Sequence, residues 1–195
     1  MKRRDRKSIR FKNWGYKWKA LYYVTICTKN MKRFFGEVIN GKMVLNEIGE
    51  IVQSEWLKTF EMRPDMNLTM GEYVVMPNHF HAIIGIGKNK YNTTWDYGMP
   101  NHGKRMDMEE SHCVPTGDKS NQGTSKNQFG PQSKNLGSII RGFKIGVTKN
   151  ARLINPDFDW HYRFNDRIIR DAQSYHRISK YIRDNPKNWK EDEFN

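Results

Sequence analysis

In Val74-Val75-Met76-Pro77-Asn78-His79-Phe80-His81-Ala82-Ile83-Ile84-Gly85-Ile86, two histidines one residue apart open an apolar run of β type that follows a proline. Side chains alternate faces along a strand, so His79 and His81 point one way while Phe80, Ala82 and Ile84 point the other. Two imidazoles side by side on a rigid strand can supply two nitrogen ligands to one divalent cation. Taken alone, the pair reads equally well as a hydrogen-bonded polar pair at a half-buried sheet edge, because so short a motif also matches by chance.

The residues on either side set this strand in a sheet. Leu68 to Met76 reads as a second strand, antiparallel to His79–Ile86 across a tight Pro77-Asn78 turn. Before it, Ile48, Ile51, Val52, Trp56 and Phe60 fall at helical spacing, with Asn46 as N-cap and Pro64 as terminator. Phe34–Ile39 and Lys42–Leu45, joined by Asn40-Gly41, form a small hairpin, since Asn-Gly is a preferred two-residue turn. Leu21-Tyr22-Tyr23-Val24-Thr25-Ile26-Cys27-Thr28, rich in β-branched and aromatic residues, reads as the first strand.

After the histidines the pattern breaks. Gly87 to Lys134 is dominated by Gly, Asn, Ser, Thr, Lys and Gln, and is read as a flexible insertion at 88–134. Its His102, His112 and Cys113 have no regular metal spacing. Leu136, Ile139, Ile140, Phe143, Val147 and Ala151 then make the apolar stripe of a second helix, with Arg141, Lys144, Lys149 and Arg152 on its other side. That basic face suits a phosphate backbone, or is simply a solvated surface. Phe158–Phe164 alternates as a short strand. Asp166–Arg170 leads into a last helix from about Asp171 to Asp184, stopped by Asn185-Pro186.

The 195 residues suffice for one domain with an insertion, and the formal net charge is +13. Residues 1–20 carry a net +8 and residues 136–190 a net +7, whereas residues 21–87, which hold the histidines, come to −1. The division is a basic aromatic-rich arm at 1–20, a domain at 21–190 and an acidic tail at 191–195. In the arm, Arg3, Arg4, Arg6, Lys7, Arg10 and Lys12 are interleaved with Phe11 and Trp14, a composition suited to phosphate contacts and base stacking. Charge gathered at the two ends is the footprint of a nucleic-acid binder, where a merely cationic soluble surface would intersperse it. Two distant cysteines, Cys27 and Cys113, argue against a disulfide framework or a cysteine zinc site. Without an apolar run near the roughly 20 residues of a membrane span, and without a signal-peptide core, a cytoplasmic protein is expected.

The last helix holds a second candidate. On a helical wheel Tyr175 sits in the middle of the Ile178/Ile182 stripe, whereas Tyr181 falls at its margin, with Asn185 one turn further along the same edge. Arg177, Lys180 and Arg183 lie nearby. A margin tyrosine beside a polar acceptor and cations suits a bound phosphate, although such a tyrosine is commonly structural.

Met76-Pro77-Asn78-His79-Phe80-His81, Trp160 with Phe164–Arg170, and Tyr181-Ile182-Arg183-Asp184-Asn185-Pro186 together resemble the single-tyrosine transposases of the HUH superfamily. The REP-associated tyrosine transposases are the most similar branch. Tyr23–Thr28 and Ser138–Lys144 also look like that family's strand and helix, and the resemblance spans nearly all of the chain outside 88–134.

The resemblance implies an α+β, ferredoxin-like (RRM-like) antiparallel sheet with helices packed on one face, a central strand carrying the histidine pair and a C-terminal helix presenting the nucleophile. It further implies Mg²⁺ or Mn²⁺ on His79, His81 and Asn185, and Tyr181 as nucleophile on single-stranded DNA or a DNA hairpin. Arg141, Lys144, His161, Arg163, Arg167, Arg170 and Lys180 join the arm as expected DNA contacts. Relatives often carry glutamine after the tryptophan where this chain has His161, whose role stays open, as does monomer against homodimer. The implied chemistry is cleavage and rejoining through a covalent 5′-phosphotyrosine, which keeps the bond energy in the ester and needs no nucleotide cofactor. The chain accordingly carries no P-loop signature. The competing expectation is a non-catalytic module binding DNA or RNA hairpins.

Overall fold

The computed structural model describes residues 16–92 and 133–189. The arm residues Arg3, Arg4, Arg6, Lys7, Arg10, Lys12 and Trp14, the central part of the insertion and the acidic tail lie outside the described residues.

The chain runs β1 (Ala20–Cys27), β2 (Gly36–Ile39), β3 (Lys42–Leu45), α1 (Glu47–Glu61), β4 (Leu68–Val75), β5 (His79–Ile86), α2 (Leu136–Ile154), β6 (Asn165–Ile169) and α3 (Ala172–Asp184). A four-stranded antiparallel sheet has the order β4-β5-β1-β6, and β2 and β3 form a separate hairpin. With that hairpin set aside, the order is strand-helix-strand-strand-helix-strand with β1 and β5 central. This is the ferredoxin-like α+β arrangement.

Local chemistry explains the boundaries. Asn40 and Gly41 both adopt positive φ (51° and 72°), the backbone of the tight hairpin turn that Asn-Gly favours. Asn46 accepts a hydrogen bond from the Gly49 N–H at the start of α1, and Asp171 does the same for Ser174 at the start of α3. Asn135 and Ser138 cap α2 reciprocally.

Both faces of the sheet are covered. Tyr22, Val24, Ile26, Phe80, Ala82 and Ile84 pack under α1 and α2 around the fully buried Trp56 and Phe143. On the opposite face Ile83 and Ile169 meet Ile178 and Ile182 of α3. Every residue of β5 is therefore buried, the two histidines included.

One expectation is corrected. Phe158–Phe164 is not a strand: Trp160 makes a single bridge to Thr28, and the sheet is completed by β6, whose Asn165–Ile169 pair with Thr25–Leu21. The alternation comes from Phe158 and Trp160 inserting against Phe34 and Phe35, while Tyr162 stands in solvent. β6 is an edge strand, and its Asn-Asp-Arg start hides it from an apolar search.

Candidate active site at the histidine pair

Strand alternation puts both imidazoles on the α3 face, with ring centroids 4.5 Å apart. His79 is 0% and His81 1% exposed. Burying two imidazoles in a central strand is costly unless their nitrogens are engaged, and each Nδ1 is. His79 Nδ1 lies 2.9 Å from Asn78 Oδ1, while Asn78 Nδ2 donates to the Met31 carbonyl at 3.2 Å. With the amide oriented by Met31, Asn78 Oδ1 faces His79 Nδ1 as an acceptor, so the ring donates through Nδ1 and in its neutral form keeps its lone pair on Nε2.

His81 Nδ1 lies 2.8 Å from the Tyr23 hydroxyl and 2.9 Å from Thr25 Oγ1. Burial, and next the neighbouring His79, hold the His81 imidazole well below the ordinary histidine range. The ring is neutral at pH 7, the form that donates a lone pair. The Nε2 atoms of both rings are buried and take no hydrogen bond from the described residues.

The helix above completes the cluster. Tyr181, 42% exposed, lies with its ring 5.4 Å from that of His81 and edge-on at 6.5 Å to Tyr23. It sits at the margin of the buried stripe, as its wheel position predicts, while Ile178 and Ile182 are buried. Asn185, 2% exposed, ends α3 one turn further on, and its Oδ1 is also buried without a hydrogen bond from the described residues. Past it, Trp189 packs 5.9 Å from the His79 ring. Arg183 pairs with Glu72 of β4 at 2.8 Å, pinning α3 to the sheet edge.

The strand register ties further residues to this face. Directly opposed residues of an antiparallel pair share a face. Asn165, Thr25 and His81 thus form one row across β6, β1 and β5, while Arg167 lies opposite Tyr23 and Cys27 opposite His79. Arg167 and Arg170 are exposed, and Lys180 is exposed in an ion pair with Asp184.

Arg141, Lys144, His161 and Arg163 line a cleft of about 1340 Å³ between α2 and residues 159–165, which reaches Thr25 and Cys27. Within it Lys144 Nζ donates to the His161 carbonyl at 2.7 Å and lies over the Trp160 ring, so its part is to tie that segment to α2. Ring contacts thus join His79, His81 and Tyr181 under α3, with Asn185 buried at the end of that helix, and the expected basic contacts separate into the cleft, the β6 edge and, for Lys180, α3 itself. The motif reading did not single out the roles of Asn78, Tyr23, Thr25 and Trp189.

Among the described residues no three His, Cys, Asp or Glu side chains group as a metal site. No helix of the described residues is long and apolar enough to cross a membrane.

No family model matches the chain. An uncharacterized protein of Haemophilus influenzae is 34% identical over 190 residues, covering 96% of this chain and 92% of that one. Among solved structures, a REP-associated tyrosine transposase bound to a REP hairpin superimposes with a TM-score of 0.52 at 16% identity, over 92% of this chain and 74% of that one. The chain belongs to the same family as the Haemophilus influenzae protein and has the fold of a REP-associated tyrosine transposase.

Proposed function

We propose that this protein cleaves and rejoins single-stranded DNA, with Tyr181 as the nucleophile beside a divalent cation held by His79, His81 and Asn185. The observation that carries the reading is the half-exposed Tyr181 ring set edge-on to His81, one of a buried pair of imidazoles whose centroids are 4.5 Å apart. A transposase-type function is supported by the fold, and nucleic-acid binding by the REP hairpin on the solved relative.

The donor set fits a cation. The His79 Nε2 lone pair is fixed by the Asn78 contact, and the buried Nε2 of His81 and Oδ1 of Asn185 take no hydrogen bond from the described residues. Three neutral donors would leave coordination positions for water and a phosphate oxygen. When bound, Mg²⁺ or Mn²⁺ would polarise the phosphate and offset charge developing on it. Imidazole nitrogens favour Mn²⁺ over the oxygen-seeking Mg²⁺.

The residues of the chain do the rest. The Tyr181 phenolic oxygen attacks phosphorus, its proton passing to solvent, and the P–O3′ bond breaks. The departing 3′ oxygen takes up a proton, and the 5′ phosphate stays esterified to the tyrosine. Attack by a second strand's 3′-hydroxyl reverses the exchange and returns the proton to the phenol. The half-exposed position of Tyr181 allows a strand to reach its oxygen, while α3, fastened by Ile178, Ile182 and the Arg183–Glu72 pair, sets its approach.

The test is incubation of the protein with end-labelled single-stranded DNA and Mn²⁺, followed by a denaturing gel. The expected result is a covalent adduct absent in Tyr181→Phe and retained in Tyr175→Phe, since Tyr175 packs against the apolar cluster under α3. An adduct that persists in Tyr181→Phe overturns the assignment. Removing the cation with EDTA is expected to abolish the adduct.

A further inference from the structure

The cleft lies beside α2, away from the helix that carries Tyr181, yet two of its lining residues touch the histidine rows. Thr25 hydrogen-bonds His81, and Cys27 is the cross-strand neighbour of His79. β6 makes this junction possible: its pairing with β1 stops at Asn165–Thr25, leaving the end of β1 to the Trp160–Phe164 segment. The cleft therefore opens at the end of the row that leads to His81.

Its chemistry is one-sided. Lys29, Arg141, Lys144, Lys149, Arg152 and Arg163 line it against the single acid Asp159. Three of the cations hold the walls. Lys144 bonds the His161 carbonyl, Arg152 the Phe158 carbonyl at 3.0 Å, and Lys29 the Asp159 carboxylate at 3.0 Å. Arg141, Lys149 and Arg163 stand exposed. Arg141, Ile145 and Lys149 form one ridge of α2 that runs for about 12 Å, enough for more than one phosphate. Ile145 on that ridge is 60% exposed, and Tyr162 on the facing wall is 89% exposed. Cations alternating with exposed flat or apolar side chains suit a strand whose bases are unpaired. A duplex, with its bases stacked inside, has no use for Tyr162.

We infer that this cleft is the track along which a single DNA strand approaches the imidazole pair, with phosphates on Arg141 and Lys149 and a base on Tyr162. The inference rests on the proposed function for the identity of the strand, but binding along the track requires neither the cation nor the tyrosine oxygen.

The experiment is fluorescence anisotropy with a labelled mixed-sequence single strand and full-length Tyr181→Phe protein, in EDTA, over a range of salt concentrations. Arg141→Ala/Lys149→Ala is expected to weaken binding at least tenfold at low salt. It should also flatten the slope of log K against log salt by about 1.4, the contribution of two phosphates on a single strand. Tyr162→Ala, exposed and so without a folding cost, is expected to weaken binding roughly tenfold with the slope unchanged. Lys42→Ala/Lys58→Ala removes the same charge elsewhere and should bind as the parent does. Equal weakening by both double variants, or parental affinity in Tyr162→Ala, overturns the track. Loss of the Tyr181 adduct in the gel assay bears on the proposed function alone, because this readout contains no chemistry.

Discussion

Asn78 shows how much one side chain settles. Its Oδ1 accepts a hydrogen bond from His79 Nδ1, and its Nδ2 is oriented by the Met31 carbonyl. Asn78→Ala would leave a buried N–H without its acceptor, and such an orphan costs about 1–3 kcal/mol. We expect a loss of that size in urea unfolding, together with a mixed His79 tautomer in imidazole ¹⁵N NMR of the metal-free protein. An unchanged single tautomer would show that something other than Asn78 sets the ring. His81 makes the matching case for pH. Burial holds its folded-state affinity for protons well below that of the unfolded chain, which titrates near about 6.5. Below that pH the unfolded chain binds a proton that the folded one does not, so stability is full above about pH 6.5 and declines as the pH falls. Urea midpoints measured from pH 7.5 to 5 should drop for the parent and drop less for His81→Gln.

Among the elements, α1 and the hairpin make a contact that propensity alone would misjudge. Replacing a helical glycine by alanine ordinarily gains about 1 kcal/mol. At Gly49, however, an added Cβ would lie 2.2 Å from the Phe35 backbone carbonyl and 2.9 Å from a Leu45 methyl. Gly49→Ala is therefore expected to destabilise by about 1–3 kcal/mol in thermal or urea unfolding. A gain in stability would mean that the hairpin sits away from the helix. Elements such as α1, α2 and β5 were legible in the sequence because their apolar periods are strong and their caps are specific residues. β6 was displaced in the reading by the aromatic alternation just before it, since an edge strand starting Asn-Asp-Arg has little apolar signal. The metal-type motif was legible for the same local reason: His79 and His81 are two residues apart. Their supports were not. Tyr23 and Thr25 lie 58 and 56 residues from His81 and meet it only through strand register. The place of Tyr181 at the edge of α3 followed from a helical wheel; what it faces did not.

For the whole molecule, the sheet is a partition. One face is a conventional core under α1 and α2, and the other carries the histidines and a smaller apolar cluster beneath α3. Tyr91 and Lys134, which flank residues 93–132, both bond the Asp65 carboxylate, and with Lys134 as the leading cause those bonds pull its pKa down to about 2. Ends held at one carboxylate can be joined by a short linker. Replacing 93–132 with a short Gly/Ser segment should leave the melting temperature within a few degrees, and outright unfolding would show that the insertion contributes to the core. The proposed reaction requires the phenolic oxygen of residue 181 to become joined to DNA. The most direct measurement is mass spectrometry of a protease digest after reaction with single-stranded DNA and Mn²⁺. The expected result is a nucleotide-bearing peptide whose modified residue is Tyr181. A nucleotide mapped to any other residue, or none under conditions where labelled DNA is cut, would contradict it.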